Sequence, residues 1–238
     1  TTIAGIPLYS DSTSLYTHNV SGTDSTATNN TAIGFTAMDA ITTGDNNSAF
    51  GYGALGSVTT GTLNNAFGKN ALFTVTTGSN NVAMGENALY TNNADNNTAI
   101  GHNALVANTT GANNVALGQN ALVANTTGQR NVALGVIALD ANTTGAYNVG
   151  LGYGAAGANT TASHNIAVGY KAMETNSTGT RNIAIGASAY SSSDTENDNL
   201  AIGVDAMTAN TAGGQYNIAI GNYAGDALTS ADNSVLVG

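Results

Sequence analysis

The sequence predicts an all-β protein, a parallel β-solenoid or β-roll of about thirteen coils, and two observations support this. A motif of the form Asn-x-Ala-apolar-Gly, such as Asn131-Val-Ala-Leu-Gly135, recurs every 17 residues, with one step of 16 and one of 18. The chain also has 30 glycines, a single proline and abundant Asn and Thr, which disfavour helices. A fixed short period is typical of solenoids, in which each repeat forms one coil.

The chain divides into a lead-in and a repeat domain. Residues 1–29 lie outside the period and contain the one proline, Pro7. We expect them to cap the first coil or to link it to an upstream part, because an open terminal coil exposes strand edges. Residues 30–238 form the repeat domain. Since the chain begins with Thr1, we expect a processed product or a fragment.

Each repeat is numbered here from its closing glycine, which is position 0. Positions −3 to −1 are β-branched or aliphatic and predict a strand, and positions +2 to +6 predict a second strand. Glycine at position 0 adopts backbone angles that other residues resist, so the chain turns there. Coils stacked about 4.8 Å apart give a rod of roughly 60 Å. These turn glycines are Gly34, Gly51, Gly68, Gly85, Gly101, Gly118, Gly135, Gly152, Gly169, Gly186, Gly203 and Gly221.

Position −4 is asparagine in all but one of the repeats, where Ser234 replaces it. We expect these side chains to form a ladder along one corner of the rod, bonding the turn backbone and each other. The ladder comprises Asn30, Asn47, Asn64, Asn81, Asn97, Asn114, Asn131, Asn148, Asn165, Asn182, Asn199 and Asn217.

The predicted strands are apolar on both faces in the C-terminal half, as in Val132-Ala133-Leu134. One face can pack inside the coil, and the other needs a second surface, for which we expect another copy of the chain. Position −3 is polar in early repeats, such as Thr31, and aliphatic from Val115 onward, so packing should tighten toward the C-terminus. The alternative is a wider monomeric coil that buries both faces itself.

Composition excludes several classes of partner and site. The net charge is −10 with four basic residues, which disfavours nucleic acids and anionic membranes. The chain has no cysteine and therefore no disulfide or thiolate metal site. No apolar run reaches 18 residues, so we expect no membrane insertion.

We find no catalytic constellation and expect neither enzymatic activity nor a cofactor. The histidines His18, His102 and His164 are isolated and do not share a repeat position. Asp194, Glu196 and Asp198 form the only acidic cluster, which is interpreted as a solvated loop in preference to a cation site. The sequons beginning at Asn108, Asn125, Asn142, Asn159 and Asn176 are interpreted as turns in preference to glycosylation sites.

The motif Asn-x-Ala-(Ile/Leu)-Gly followed by x-x-Ala-(Leu/Met) resembles the head repeats of YadA-like trimeric autotransporter adhesins. It resembles still more closely the arrays of phage tail-fibre-like proteins, whose repeats also carry Asn-Thr-Thr-Gly. The resemblance covers residues 30–238 and implies a homotrimer of β-rolls that binds an extracellular ligand. It also implies an extracellular location, in a virion tail fibre or on a cell surface. The adhesin repeat is shorter, and residues 1–238 contain no neck, stalk, anchor or chaperone domain.

One repeat position carries candidate binding residues. Position −5 is mostly Asn in the N-terminal half and then becomes Arg130, Tyr147, His164, Arg181, Asp198 and Tyr216, with Tyr153 and Tyr170 at the neighbouring +1 corner. Aromatic and Arg side chains anchor binding surfaces, and rings suit sugars, so a host surface glycan or protein receptor is the expected partner. The alternative is an exposed corner that tolerates any residue. The candidates are Arg130, Tyr147, His164, Arg181, Tyr216, Tyr153 and Tyr170.

The favoured function is a structural and adhesive fibre segment that acts by multivalent attachment. The first alternative is an extracellular filament subunit that stacks through its exposed coil ends. Ice binding by paired threonines, such as Thr126 and Thr127, ranks lower, because adjacent residues point to opposite faces. A glycan-cleaving tailspike ranks lowest, since the repeats supply no carboxylate pair at matched height.

Overall fold

The computed structural model describes residues 2–3, 6–7, 9–10, 14–17, 26–209 and 213–238. These residues form strands and turns without a helix, in a parallel β-solenoid with a 17-residue repeat. Thirteen three-residue strands enclose twelve complete turns. The strands are β1 (Thr2–Ile3), β2 (Ile6–Pro7), β3 (Tyr9–Ser10), β4 (Leu15–Tyr16), β5 (Thr31–Ile33), β6 (Ser48–Phe50), β7 (Asn65–Phe67), β8 (Val82–Met84), β9 (Thr98–Ile100), β10 (Val115–Leu117), β11 (Val132–Leu134), β12 (Val149–Leu151), β13 (Ile166–Val168), β14 (Ile183–Ile185), β15 (Leu200–Ile202), β16 (Ile218–Ile220) and β17 (Val235–Val237).

Fifteen strands, β3 to β17, form one sheet in sequence order. From β4 onward neighbours pair in parallel, and equivalent repeat positions lie opposite each other, as Ala116 does to Ala133. Each position therefore forms a column along the rod, and the predicted fold class is confirmed. The first two strands pair antiparallel in a separate two-stranded sheet, and β3 pairs antiparallel with β4.

The second strand predicted at positions +2 to +6 is wrong, because this segment is a series of turns. Its residues at +2 and +4 have positive φ, as in Asn120 (φ 57°) and Leu122 (φ 52°). The backbone N–H groups of this segment therefore point alternately toward the two neighbouring coils. Asn120 N donates to His102 O in the preceding coil, and Leu122 N donates to Ala138 O in the following coil, each at 3.0 Å. These bonds tie the coils together without a strand. Asparagine at +2 is the sequence signal for this conformation, since it tolerates positive φ.

The core of the rod is narrow. Ala133 at −2, Ala138 at +3 and Leu139 at +4 are each 0% exposed, and their equivalents in other coils repeat the arrangement. Positions −3 and −1 point outward from the sheet, so Leu117 remains 46% exposed. The single chain therefore buries only one face of its strands, and the wider monomeric coil is not the structure adopted.

The position −4 asparagines lie in a buried ladder, with side chains at most 2% exposed. Asn131 shows the arrangement: its Nδ2 donates to Gly145 O at 2.8 Å, and its Oδ1 accepts from Asn148 N at 2.9 Å. Its own N–H donates to Asn114 Oδ1 at 2.9 Å. Each side chain thus satisfies backbone groups that the corner would otherwise leave without partners.

A second asparagine ladder runs along position +7 and was not anticipated. Asn125 Nδ2 donates to Asn108 Oδ1, and Asn142 Nδ2 donates to Asn125 Oδ1, both at 2.8 Å. Asn159 continues the row with a 2.8 Å bond to Asn142. These residues begin the sequons, and their side chains are 0% exposed. Their amides are therefore inaccessible for glycosylation in the folded chain.

The closing glycines are required for two reasons, which Gly135 illustrates. Its φ is +141°, in a region that side chains strongly disfavour. A Cβ atom there would lie 2.4 Å from Gly152 O in the next coil. The turn can therefore stack closely only when each coil has glycine at this position.

The sheet continues into the lead-in. Tyr16 on β4 pairs with Ala32 and is 1% exposed, so its ring covers the first coil's alanine core. Ser14 Oγ accepts from Asn30 N at 3.0 Å and so replaces a further asparagine of the ladder. Residues 14–17 thus close the N-terminal end of the core.

Candidate binding surfaces

The position −5 column combines large side chains with positive φ. Arg130, Tyr147, His164 and Arg181 have φ between 57° and 64°, where earlier coils carry mostly asparagine. Left-handed backbone is tolerated by asparagine and is unfavourable for bulky residues. Four successive coils therefore carry large side chains in a conformation that favours a small one, which points to a role for those side chains outside the fold.

Three of these side chains form one continuous stack. Arg130 Nη1 donates to the Tyr147 hydroxyl, and the guanidinium carbon lies 5.2 Å from the Tyr147 ring centroid. The Tyr147 and His164 rings are 4.9 Å apart at an angle of 9°. Tyr147 is 42% exposed, so the stack offers ring edges and a guanidinium to solvent.

The rest of the column differs in chemistry. Arg181 donates to both carboxylate oxygens of Asp198, at 2.6 and 2.7 Å. The hydrogen bond from Arg181 holds the pKa of Asp198 below its usual range, and the same bond raises the pKa of Arg181. Tyr216 is 57% exposed. The guanidinium of Arg181 is thus already paired, whereas the stack and Tyr216 offer ring surface.

Tyr153 and Tyr170 form a separate stripe at position +1. Their rings are stacked 5.6 Å apart at 14°, and Lys171 Nζ lies 5.9 Å from the Tyr170 centroid. A three-residue strand separates positions −5 and +1 in each coil, so the two columns flank opposite ends of the strands. The seven candidate residues therefore form two parallel stripes and not one surface.

Between these stripes lies the outward face of the sheet, defined by positions −3 and −1 and called here the sheet face. From Val115 onward both positions are aliphatic in every coil. Leu117 is 46% exposed, Ile185 39% and Ile220 41%. A continuous apolar surface of this length is typical of an interaction site.

The acidic cluster does not converge. Glu196 accepts hydrogen bonds from Asp194 N at 2.9 Å and Gly213 N at 3.1 Å, and Asp198 is paired with Arg181. Over the described part of the chain, no group of three or more His, Cys, Asp or Glu side chains is placed to hold a metal ion. His102 and His164 lie in different columns, and His18 falls outside the described residues.

The threonine pairs do not form a double row of free hydroxyls. Thr126 Oγ1 donates to Thr143 O at 3.0 Å, and Thr109 Oγ1 donates to Thr126 O at 2.9 Å. Position +8 therefore bonds the next coil, and the exposed threonines lie mostly at position +9, as Thr127 and Thr144 do. This weakens the basis for ice binding.

No family model, curated protein or solved structure matches this chain. The resemblance to adhesin and tail-fibre repeats thus rests on the repeat motif alone. The described residues include no helix with the length and hydropathy of a membrane span.

Replacing Arg130, Tyr147 and His164 together by asparagine should leave the free energy of unfolding within about 1 kcal/mol of its original value. The reason is that asparagine tolerates the positive φ at these positions better than the larger side chains do, and this gain offsets the loss of the exposed stacking contacts. The gain and the loss are each about 0.5–1 kcal/mol. Urea unfolding followed by circular dichroism measures this. The reverse change, Asn113→Tyr at the same position, should destabilise by about 1 kcal/mol. A large loss in the triple variant would instead assign the stack a role in the fold.

Proposed function

We propose that this chain is a structural and adhesive segment of an extracellular fibre, in a virion tail fibre or on a cell surface. In this proposal it attaches to a glycan or protein receptor on a host surface. The observation that carries the proposal is the sheet face, which is apolar along the rod and flanked by two stripes of aromatic and basic side chains. Such a surface suits a chain whose sheet face packs against other copies of the same chain and whose flanking stripes bind a receptor.

A second copy of the chain is the best occupant of the sheet face. A copy in parallel register brings identical coils to the same height, so the aliphatic columns of one chain meet those of another along the whole rod. Three copies around one axis let every sheet face meet two others, as the resemblance to trimeric fibres implies. The polar residues at position −3 in early coils, such as Thr31 and Ser48, make the C-terminal half the tighter part of this interface.

Trimerisation would also allow individually weak contacts between each chain and a receptor to add up to strong attachment. Three chains present three copies of the Arg130–Tyr147–His164 stack at one height, and linked sites bind with far greater avidity than single ones. No catalytic step is needed in this mechanism, and the proposal assigns the chain no enzymatic role.

Light scattering after size exclusion should give a stable species of three 23.6 kDa chains. Burial of the sheet face supplies the driving force, so the species should persist on dilution and at high salt. A monodisperse single chain under the same conditions would remove the fibre proposal. Open-ended growth with concentration would instead support a self-stacking filament.

A further inference from the structure

The sequence Gly-Tyr-Gly-Ala-x-Gly occurs twice, at residues 51–56 and 152–157. In both places, positions +2 and +5 of one coil lose the side chains that most other coils carry there. The two sites therefore begin as equivalent gaps in the surface of the rod, on the turn side and not on the sheet face.

The first gap is filled by the next coil. A Cβ atom on Gly53 would lie 3.1 Å from Phe73 Cδ2, and one on Gly56 would lie 2.9 Å from Phe73 Cε2. The Phe73 ring thus occupies the space, and it is held there by stacking on Tyr90 at 5.4 Å.

The second gap is open. Glu174 takes the place of Phe73 in the repeat, and its Oε1 is 2.7 Å from Lys171 Nζ. A Cβ atom on Gly154 would meet only Lys171 Cγ at 3.6 Å and Ile137 Cδ1 at 3.9 Å. The result is a groove of about 410 Å³, within the size range of small-molecule sites. It is called here the glycine groove.

The walls of the glycine groove differ in chemistry. Tyr153 provides an aromatic edge that is 47% exposed and is held by its stack on Tyr170. Asp140 lines one side, where burial raises the pKa of its carboxyl group. The Lys171–Glu174 pair lines another side and offers both a donor and an acceptor.

We propose that the glycine groove binds a neutral sugar residue, a hexopyranose of a surface glycan. An aromatic edge that packs on C–H groups, with carboxylates that accept from hydroxyls and an ammonium that donates, matches a pyranose ring. Lys171 is already paired with Glu174, and the chain carries a net charge of −10, so an acidic sugar would be repelled. This inference rests on the proposed adhesive function and names the receptor chemistry.

The test uses saturation-transfer NMR on the full chain with methyl glycosides of glucose, galactose, mannose and N-acetylglucosamine. At least one should bind the unaltered protein. Tyr153→Ala should weaken that binding by roughly tenfold or more through loss of the aromatic edge. Tyr52→Ala is the matched control, because Tyr52 occupies the same position beside the filled gap, and it should bind as the unaltered protein does.

Gly154→Asn tests the groove without disturbing the fold. Gly154 has φ +61°, and asparagine occupies this position with φ 56° and 57° at Asn103 and Asn120. The variant should keep its thermal stability and lose sugar binding, because its side chain fills the groove.

The inference is overturned if none of the four glycosides binds, or if Tyr153→Ala and Tyr52→Ala bind alike. Its failure is distinguishable from failure of the fibre proposal. A three-chain species that attaches to cells without binding these sugars contradicts the groove alone. A single chain that binds them through Tyr153 contradicts the fibre alone.

Discussion

Replacing Asn131 by aspartate is expected to lower the free energy of unfolding by about 3–5 kcal/mol at neutral pH. The side chain is 0% exposed, and its Nδ2 donates to Gly145 O at 2.8 Å. Aspartate places a carboxylate oxygen against that carbonyl oxygen and buries a charge without a cation. The acceptor bond to Asn148 N survives, so the loss reflects the missing donor and the charge.

Urea unfolding at several pH values measures this effect. Burial without a cation raises the pKa of an aspartate in the folded state above its unfolded value, so the folded state binds the proton more tightly. The deficit should therefore shrink as pH falls through that raised pKa. Asn131→Ala should lose about 2–4 kcal/mol with no such pH dependence, because it leaves Gly145 O and Asn148 N unpaired.

Asn113→Asp is the matched control for the ladder. Asn113 is the exposed residue beside the ladder residue Asn114 and has φ 62°, which aspartate also tolerates. This change should alter stability by less than about 0.5 kcal/mol. Equal losses in Asn113→Asp and Asn131→Asp would contradict the ladder as the source of stability.

Much of this fold could be predicted from the sequence because the repeat period is nearly constant. A constant step of 17 residues puts like residues opposite each other, so the register of Ala116 with Ala133 follows once the coils are parallel. Asparagine at −4 and glycine at 0 also pointed to their structural roles, since few residues suit a buried corner or a φ of +141°.

The strand predicted after each glycine is wrong because hydropathy does not encode the sign of φ. Ala121 and Leu122 are buried and apolar, as strand residues are, but Leu122 has φ 52°. Likewise, Asn-Thr-Thr-Gly is typical of an exposed turn, whereas Asn125 lies inside, at the position where Ile41 and Val58 are buried in the first coils, and its side chain bonds Asn108 and Asn142 in the adjoining coils. In both cases hydrogen bonds to the neighbouring coils decide the conformation, and composition does not report them.

Less of the geometry of the candidate sites could be predicted from the sequence. Two copies of Gly-Tyr-Gly-Ala look equivalent in the sequence, but Phe73 in the next coil fills one gap, whereas Glu174 stands at that position beside the other. Similarly, the sequence placed the −5 and +1 residues at neighbouring corners, but the strand between them sets Tyr147 and Tyr153 on opposite edges of the sheet face. Such differences depend on contacts between coils.

If the chain forms the proposed three-chain species, Ile185→Lys is expected to convert it into folded single chains. Ile185 lies on the sheet face at 39% exposure, between equivalent aliphatic residues Val168 and Ile202 in the adjoining coils. A trimer would bring three lysines together in an apolar interface, at a cost of at least about 4 kcal/mol, or roughly 10³ in the dissociation constant. Light scattering measures the mass, and circular dichroism checks that the single chain remains folded.

Two further changes separate dissociation from unfolding. Ala184→Lys alters the adjacent residue, which points into the core at 0% exposure, and it should unfold the coil whatever the oligomeric state. Thr127→Lys alters an exposed residue on another side of the rod and should change neither mass nor stability. If Ile185→Lys keeps the three-chain mass, the sheet face is not the interface. If it loses both mass and fold while Thr127→Lys does not, association is a condition for folding, and the isolated coil is not stable by itself.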